Sequence, residues 1–295
     1  MQVIESLYNI SSRVYNMQRN QAEALTKKAY NDAKKEWNRL IKRQTHMLEF
    51  QTTLHYLEMF LPKKGRILDA GGGPGRYSIY LAKKAYRISL LDLSPENIEF
   101  AKKQAKIEKV IGNFDEFMVG SIHDLSHFED NTFDLVLCTG GPLSHLAGSR
   151  NRLKALKELE RVAKKNSYLF VSVMSRWGTL SVPYPKAHFE IRRTKHAIRL
   201  ISGEDTMWKQ KYYTHYFTYD ELLELFSKVE GLKVTKVVGL QGLTGTWFER
   251  YIRKFKNDRK AWKNLMMMNE MVREIPSVVD SSRHILVIAK KTRKT

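Results

Sequence analysis

Two short stretches between residues 66 and 96 constrain this chain more than any other feature. Arg66-Ile-Leu-Asp-Ala-Gly-Gly-Gly-Pro-Gly75 predicts a buried strand that ends in a glycine-rich turn. Leu90-Leu-Asp-Leu-Ser-Pro-Glu96 predicts a second strand, followed by a capped helix. Ligands of open α/β sheets bind beyond the carboxyl ends of such strands. The two stretches together predict a pocket for a nucleoside with a charged tail.

The acids and glycines of these stretches each suit a part of such a ligand. Asp69 ends the first strand, where its carboxylate can accept hydrogen bonds from an ammonium group or from backbone amides. Gly71, Gly73 and Gly75 permit positive φ and let ligand atoms approach the backbone closely. Asp92 lies seventeen residues beyond Gly75, at the end of the next strand. An acid at that position can bind the two ribose hydroxyls.

The residue that follows the glycine turn argues against a dinucleotide. The dinucleotide fingerprint Gly-x-Gly-x-x-Gly/Ala ends in a small residue, which allows the helix to pack closely on the strand. Counting from Gly71 and Gly73, that last position is Arg76. A nicotinamide-dependent oxidoreductase is therefore disfavoured.

The segments around the motif predict an α/β fold. Strands and helices alternate, and the strands are almost entirely apolar, which indicates a Rossmann-like, mostly parallel sheet with helices on both faces. Residues 1–60 lack proline and glycine and predict an N-terminal helical cap, before a domain of residues 61–295. Within that domain, 175–218 is an insertion after the fifth strand and 247–275 a basic helix. The seven predicted strands are Ile67–Ala70, Arg87–Leu93, Phe117–Gly120, Thr132–Cys138, Tyr168–Met174, Lys233–Val238 and His284–Ala289.

The composition shows an uneven distribution of charge and indicates a cellular compartment. The formal net charge is +20, and residues 151–295 carry 30 Lys and Arg against 14 Asp and Glu. Such an excess can attract nucleic acid or another polyanion, or it can be a solvated surface. Cys138 is the only cysteine, which excludes an intramolecular disulfide and a cysteine zinc cluster. With no membrane span or secretory signal in the sequence, we expect a cytoplasmic protein.

Residues 65–146 resemble the class I S-adenosylmethionine-dependent methyltransferases, and most of all the group around the ubiquinone and menaquinone biosynthesis methyltransferases. The resemblance rests on Asp69-Ala-Gly-Gly-Gly-Pro-Gly75 and on Asp92-Leu-Ser-Pro95. It implies that S-adenosylmethionine is the cofactor, with S-adenosylhomocysteine as its product. The resemblance implies that Asp69 and the glycines bind the methionine end of the cofactor and that Asp92 binds the ribose. It implies that Leu93, Ser121 and Ile122 contact the adenine, and that Thr139 faces the methyl group. Ser121 departs from the family, which usually has an aspartate there.

The methyl acceptor is expected beyond the fourth strand, near Thr139-Gly-Gly-Pro-Leu-Ser-His145. His145 is the best general-base candidate by position, and His215 is a secondary one by resemblance; each is alternatively a structural histidine. In related enzymes the N-terminal helices close over the cofactor, and Tyr30, Trp37 and Arg39 can do so here or be ordinary helix residues. The aromatic residues of the insertion, Trp177, Trp208 and Tyr212 among them, form either a lid or a small core.

Three functions follow from these patterns. A methyltransferase acting on a small molecule is favoured, because the closest-looking relatives and the aromatic insertion indicate a closed pocket. An RNA methyltransferase is the alternative, because the basic second half can bind phosphates. A non-catalytic nucleic-acid-binding protein on the same fold is less favoured, because Asp69, the glycines and Asp92 are all present. The patterns predict no metal site and leave the oligomeric state open.

Overall fold

A single seven-stranded sheet organises the chain in the computed structural model, which describes residues 17–180, 195–205 and 212–293. Its strand order is β3-β2-β1-β4-β5-β9-β8. Strand β9 runs antiparallel to both of its neighbours, and the other pairs are parallel. The predicted mostly parallel α/β fold is confirmed. The strands are β1 Arg66–Ala70, β2 Arg87–Asp92, β3 Phe114–Val119, β4 Phe133–Cys138, β5 Ala163–Met174, β6 Glu204–Asp205, β7 Thr214–His215, β8 Leu232–Gly239 and β9 His284–Lys291.

Helices cover both faces of this sheet, and an apolar core lies between them and the sheet on each side. Strands β1, β2 and β4 are buried along almost their whole length, because helices shield both of their faces. The helices are α1 Arg19–Ala29, α2 Ala33–Lys42, α3 Gln44–Phe60, α4 Arg76–Ala82, α5 Pro95–Ile107, α6 Ser149–Val162, α7 Arg176–Leu180, α8 Lys195–Ser202, α9 Tyr219–Ser227, α10 Glu249–Asn257, α11 Arg259–Val272 and α12 Pro276–Ser281.

The basic segment 247–275 differs from the prediction, since it forms two helices, α10 and α11, and not one. The break lies at Asp258, whose carboxylate accepts hydrogen bonds from the backbone amides of Lys260 and Ala261 at 3.0 and 2.9 Å. An aspartate in this geometry starts a new helix, and the sequence pattern of apolar spacing did not include it. Strands β3 and β5 also begin earlier than predicted, at Phe114 and Ala163.

The described residues of the insertion 175–218 form short helices and strands. Within it, β6 and β7 form a separate two-stranded sheet, and the exposed Trp177 lies on α7. The interpretation of the insertion as an aromatic lid includes Trp208, which lies outside the described residues. None of the helices of the described ranges is long and apolar enough to cross a membrane.

Three helices, α1 to α3, form the described part of the predicted N-terminal cap, and Arg76 attaches the cap to the sheet. The Arg76 guanidinium lies 4.0 Å from the centre of the Trp37 ring on α2. Its Nε also donates a hydrogen bond to the Trp37 carbonyl at 2.9 Å, and Trp37 packs against Phe100 on α5. The bulky residue that disfavours a dinucleotide therefore has a role, because it connects the start of α4 to the cap.

Replacing Arg76 tests this attachment. We expect Arg76→Ala to lower the free energy of unfolding by about 2 kcal/mol, because it removes a cation–π contact and hydrogen bonds from a charged donor. Limited proteolysis should then cut within α1–α2 earlier than in the wild type. Arg87→Ala is the matched control, since Arg87 is an exposed arginine paired with Asp115. Equal protection of α1–α2 in the Arg76 and Arg87 variants would contradict the assignment.

Candidate active site

A cavity of about 1020 Å³, part of it open to solvent, lies at the carboxyl edge of the sheet beneath the N-terminal cap. Strands β1, β2, β3 and β4 each end at it, so its floor consists of the loops that follow them. Seven of its lining residues come from α1, from Tyr30 directly after it and from α2, and these form its roof. Those seven are Glu23, Thr26, Lys27, Tyr30, Glu36, Arg39 and Leu40.

The glycine turn brings backbone to the cavity wall. The amides of Gly71 and Gly72 donate to the carbonyl of Leu91 at 2.7 and 3.1 Å, which binds the turn to the end of β2. Gly71 has φ +75, and a Cβ there would lie 2.5 Å from Pro142. Gly73 has φ +57 and faces open space, with no atom within 4 Å of its would-be Cβ. The turn thus leaves room for ligand atoms beside Gly73.

Asp69 lies behind this turn and not on the cavity wall. The side chain is fully buried, and the Ser78 hydroxyl donates to its Oδ2 at 2.6 Å. Its Oδ1 has no partner in the described part of the chain, and burial raises the pKa of Asp69 to about 6. Gly75, at the start of α4, is not on the wall either. The sequence predicts that Asp69 and Gly75 contact the ligand, whereas in the structure they lie behind the turn and support it.

Asp92 lines the cavity and accepts three hydrogen bonds from the protein. Its Oδ2 accepts from the Gly73 amide at 2.8 Å, and its Oδ1 accepts from the Ser94 amide at 2.9 Å and from Asn97 Nδ2 at 3.0 Å. Burial raises the pKa of Asp92. Each carboxylate oxygen has more than one acceptor site, so the group can still bind ligand hydroxyls.

Leu93, Ser121 and Ile122 line the cavity beside Asp92, as the resemblance implied for the adenine side. The Ser121 hydroxyl, however, donates to Glu23 Oε1 on α1 at 2.6 Å. The serine that replaces the family's aspartate is therefore paired with an acid of the cap. Glu23 was not predicted as a site residue, although Glu23 and Lys27 lie one turn apart on α1 and share one face.

The other end of the cavity surrounds Thr139 and Gly140, which follow β4. Thr139 Oγ1 is buried without a partner in the described residues. The Arg39 guanidinium from α2 lies 3.5 Å from the position that a Cβ of Gly140 would take. It forms ion pairs with Glu36 at 3.2 Å and with Glu49 at 3.5 Å. This end thus combines a hydroxyl with a charged but internally compensated cluster.

His145 lines the same end, and its hydrogen bonds define its tautomer. Its Nδ1 lies 2.8 Å from the Tyr213 carbonyl, which can only accept, so Nδ1 carries the proton. Nε2 is then the acceptor, and the Tyr30 hydroxyl donates to it at 3.0 Å. Burial lowers the pKa of His145 to about 3 and raises that of Tyr30, so both groups are neutral.

His215 lies elsewhere. It is buried and does not line the cavity. Its Nδ1 is 3.0 Å from Glu204 Oε1, and its Nε2 contacts Glu221. Arg152 and Arg176 pair with the same two glutamates, at 3.3 and 2.7 Å. The structure thus brings together His145 and the residues expected around the cofactor, with Asp69 and Gly75 behind them, but it does not bring His215 to them.

Three residues of the wall carry a buried polar atom that has no partner among the described residues: Thr26 Oγ1, Asn97 Oδ1 and Thr139 Oγ1. An unsatisfied buried polar atom costs about 1–3 kcal/mol, so a rearrangement that gives these atoms a partner when a ligand binds would be favourable. With the open space at Gly73 and the carboxylate of Asp92, the wall offers apolar, acceptor and hydroxyl groups along one cavity. These residues fit a nucleoside that carries a charged tail.

Comparison with known proteins agrees with this geometry. Residues 68–171 match the family model described as a methyltransferase domain. The tRNA 5-carboxymethoxyuridine methyltransferase of Escherichia coli (strain K12) is 31% identical over 127 residues, which is 43% of this chain and 42% of that protein. The mitochondrial ubiquinone biosynthesis O-methyltransferase of Schizosaccharomyces pombe is 35% identical over 111 residues, 38% of each chain. The chain thus spans about half or less of the length of the curated relatives it matches.

A solved structure extends the likeness to almost the whole chain. The 1,6-didemethyltoxoflavin-N1-methyltransferase of Burkholderia thailandensis, solved with 1,6-didemethyltoxoflavin and S-adenosylhomocysteine bound, superposes with a TM-score of 0.55. The superposition covers 94% of this chain and 92% of that one at 15% identity. At this identity the likeness concerns the fold alone. The chain thus has the fold of that S-adenosylmethionine-dependent methyltransferase.

The buried carboxyl of Asp69 predicts a pH dependence of stability. Its pKa of about 6 in the fold exceeds the ordinary value of 3.8, so the folded state holds a proton that the unfolded chain has lost. Stability from this group therefore falls as the pH rises from about 4 to about 7, by up to about 3 kcal/mol. Urea unfolding of Asp69→Asn without cofactor should lack this decline. Glu224→Gln, an exposed acid, should keep it, and an identical pH profile for wild type and Asp69→Asn would contradict the assignment.

Proposed function

We propose that this chain, whose residues 68–171 belong to the class I S-adenosylmethionine-dependent methyltransferases, transfers a methyl group to a small molecule held beneath the N-terminal cap. The observation that carries the proposal is the roof that α1 and α2 form over the ends of β1 to β4. A roof of this kind leaves a bounded space beside Thr139 and His145. S-Adenosylmethionine supplies, when bound, a methyl group on a sulfonium that a nucleophile can displace in line without a metal.

The cofactor would bind along the cavity wall. Gly71 and Gly73 offer close approach to backbone, Asp92 offers acceptors for the ribose hydroxyls, and the adenine would lie along Leu93, Ser121 and Ile122. Thr139 would face the methyl end. Asp69 and Gly75 would act from behind, by fixing the turn. His215 is omitted from the proposed site, because two glutamates already contact its ring nitrogens.

The acceptor half centres on Tyr30 and His145. Because Nδ1–H of His145 is held by the Tyr213 carbonyl, its Nε2 accepts the hydrogen bond of the Tyr30 hydroxyl. This contact fixes the Tyr30 oxygen, which can in turn accept a hydrogen bond from an acceptor N–H or O–H that binds beside it. The low pKa of His145 and the raised pKa of Tyr30 keep both groups neutral, so the pair would orient the acceptor and not carry its proton.

RNA is the second candidate acceptor. It is supported by the excess of 30 Lys and Arg over 14 Asp and Glu in residues 151–295 and by the name of the tRNA methyltransferase relative. The roof formed by α1 and α2 favours the small molecule, because it narrows the space available to a nucleotide within a strand. A non-catalytic nucleic-acid-binding role is the third candidate, and turnover of the cofactor with a native acceptor would exclude it. A cytoplasmic location stays a prediction.

Labelled methyl incorporation tests the function. The protein is incubated with a host extract and S-adenosylmethionine labelled in its methyl group, and RNA, protein and small molecules are then separated. We expect label in the small-molecule fraction. Label confined to RNA would show that RNA, and not a small molecule, is the acceptor. The absence of any transfer would contradict methyl transfer altogether.

Cofactor affinity tests the role of Asp92. We expect Asp92→Ala to weaken S-adenosylmethionine binding by at least about 100-fold, because two hydrogen bonds to a charged acceptor are lost. Isothermal calorimetry measures the affinity. Asp115→Ala is the control, since Asp115 lies at the amino end of β3, away from the cavity. Unchanged affinity in the Asp92 variant would refute the assignment.

The Tyr30–His145 pair predicts a different effect for Tyr30. We expect Tyr30→Phe to lower the rate of methyl transfer by about 100-fold while S-adenosylmethionine affinity changes little, because a misplaced acceptor can cost about that much. Tyr80→Phe, on α4, should leave both quantities as in the wild type. A full rate in Tyr30→Phe would show that the acceptor is not oriented by this pair.

A further inference from the structure

Helices α10 and α11 present a surface where exposed cations adjoin exposed apolar side chains. We call it the α10–α11 face. It is independent of the cavity, since none of its residues lines the cavity wall. Its cations are Arg250, Lys254, Lys256, Arg259, Lys260 and Lys263, and its apolar residues are Tyr251, Met267, Met268 and Met271.

The two kinds of side chain share one stripe of α11. Arg259, Lys263, Met267 and Met271 follow one another at intervals of four residues, so they lie along one side of the helix. All four are exposed, and Met271 is exposed by 75%. The stripe is basic in its first half and apolar in its second.

The cations of this face have no acidic partners in the described part of the chain. The two acids of α10 and its junction with α11, Glu249 and Asp258, are themselves occupied: Glu249 accepts from the Gln44 amide at 2.7 Å, and Asp258 caps α11. Further along, Glu270 pairs with His55 at 3.3 Å and Glu274 with Lys236 at 2.7 Å. The uncompensated charge of the face is therefore positive.

Exposed apolar side chains are concentrated on this side of the molecule. Of the eleven large apolar residues that are exposed in the described ranges, seven lie on α2, α3, α10 and α11 or directly after α11. A concentration of this kind marks an interaction site, because a monomer rarely leaves large apolar patches in water. The seven are Ile41, Met59, Tyr251, Met267, Met268, Met271 and Ile275.

We propose that the α10–α11 face docks on an anionic lipid bilayer. Lipid headgroups carry phosphates that pair with Arg259, Lys260 and Lys263, and the boundary between headgroups and acyl chains accepts Met267 and Met271. RNA would satisfy the cations equally well, but it would leave the methionines in water. The combination of both side-chain types on one stripe therefore favours the bilayer over a nucleic acid.

Vesicle sedimentation tests the proposal. The full chain is mixed with vesicles of phosphatidylcholine alone or of phosphatidylcholine with phosphatidylglycerol, at low and at high salt. We expect binding to the anionic vesicles only, with a loss at high salt because the charges are then screened. Lys260→Glu with Lys263→Glu should weaken binding at least about tenfold, since each basic residue near such a surface contributes about 1 kcal/mol.

Matched variants separate the two parts of the face. Lys103→Glu with Lys106→Glu, the same charge change on α5, should bind as the wild type does. Met267→Ser with Met271→Ser should weaken vesicle binding severalfold, whereas Ile107→Ser, an equally exposed apolar residue on α5, should not. S-Adenosylmethionine affinity and circular dichroism check that each variant folds.

Three results would overturn the proposal. Equal binding to both kinds of vesicle, or binding unaffected by the α11 lysine variant, would show that the face does not recognise anionic lipid. Binding of tRNA that is lost in the lysine variant and kept in the methionine variant, without vesicle binding, would assign the face to RNA. Because these readouts require no turnover, they are separate from the test of methyl transfer.

Discussion

The carboxylate of Asp92 joins the two loops on which the nucleoside half of the cavity depends. One oxygen holds the Gly73 amide of the turn after β1, and the other holds Ser94 and Asn97 at the start of α5. These groups are donors that would otherwise be buried without partners, so the carboxylate stabilises both loops at once. The wall that would contact a ribose is therefore formed before any ligand binds, and its shape follows from one acid at the end of one strand.

The acceptor half is built differently, because it depends on the docking of the cap. Tyr30 reaches His145 from a helix that lies 115 residues earlier, and the Tyr213 carbonyl that fixes the histidine tautomer belongs to the insertion. Arg76 holds α2 over the sheet through Trp37. Three separate parts of the chain thus meet at this end, whereas the nucleoside half comes from residues 69–97 with few additions.

The sheet and the nucleoside half could be predicted from the sequence because their signals are local. An apolar strand, a glycine turn and an acid at the next strand end are adjacent in the chain, and local pattern determines them. Thr26 and Glu36 could not be assigned in this way, because only tertiary packing brings α1 and α2 over the turn. The surroundings of Asp69 could not be predicted either. A carboxylate at a strand end looks the same in sequence whether it faces a ligand or, as here, the Ser78 hydroxyl behind Gly72.

Most of the positive charge of the chain lies on its surface and not in the cavity. Only three of the residues lining the cavity, Lys27, Arg39 and Arg76, are basic. Arg39 is compensated by Glu36 and Glu49, and Arg76 is engaged with Trp37. The net charge of +20 therefore lies mostly outside the cavity, and α10 and α11 carry seven Lys and Arg against two Glu. A strongly basic chain of this fold need not act on a polyanion, because the groups that face the acceptor are set by Tyr30, His145 and the compensated cluster around Arg39.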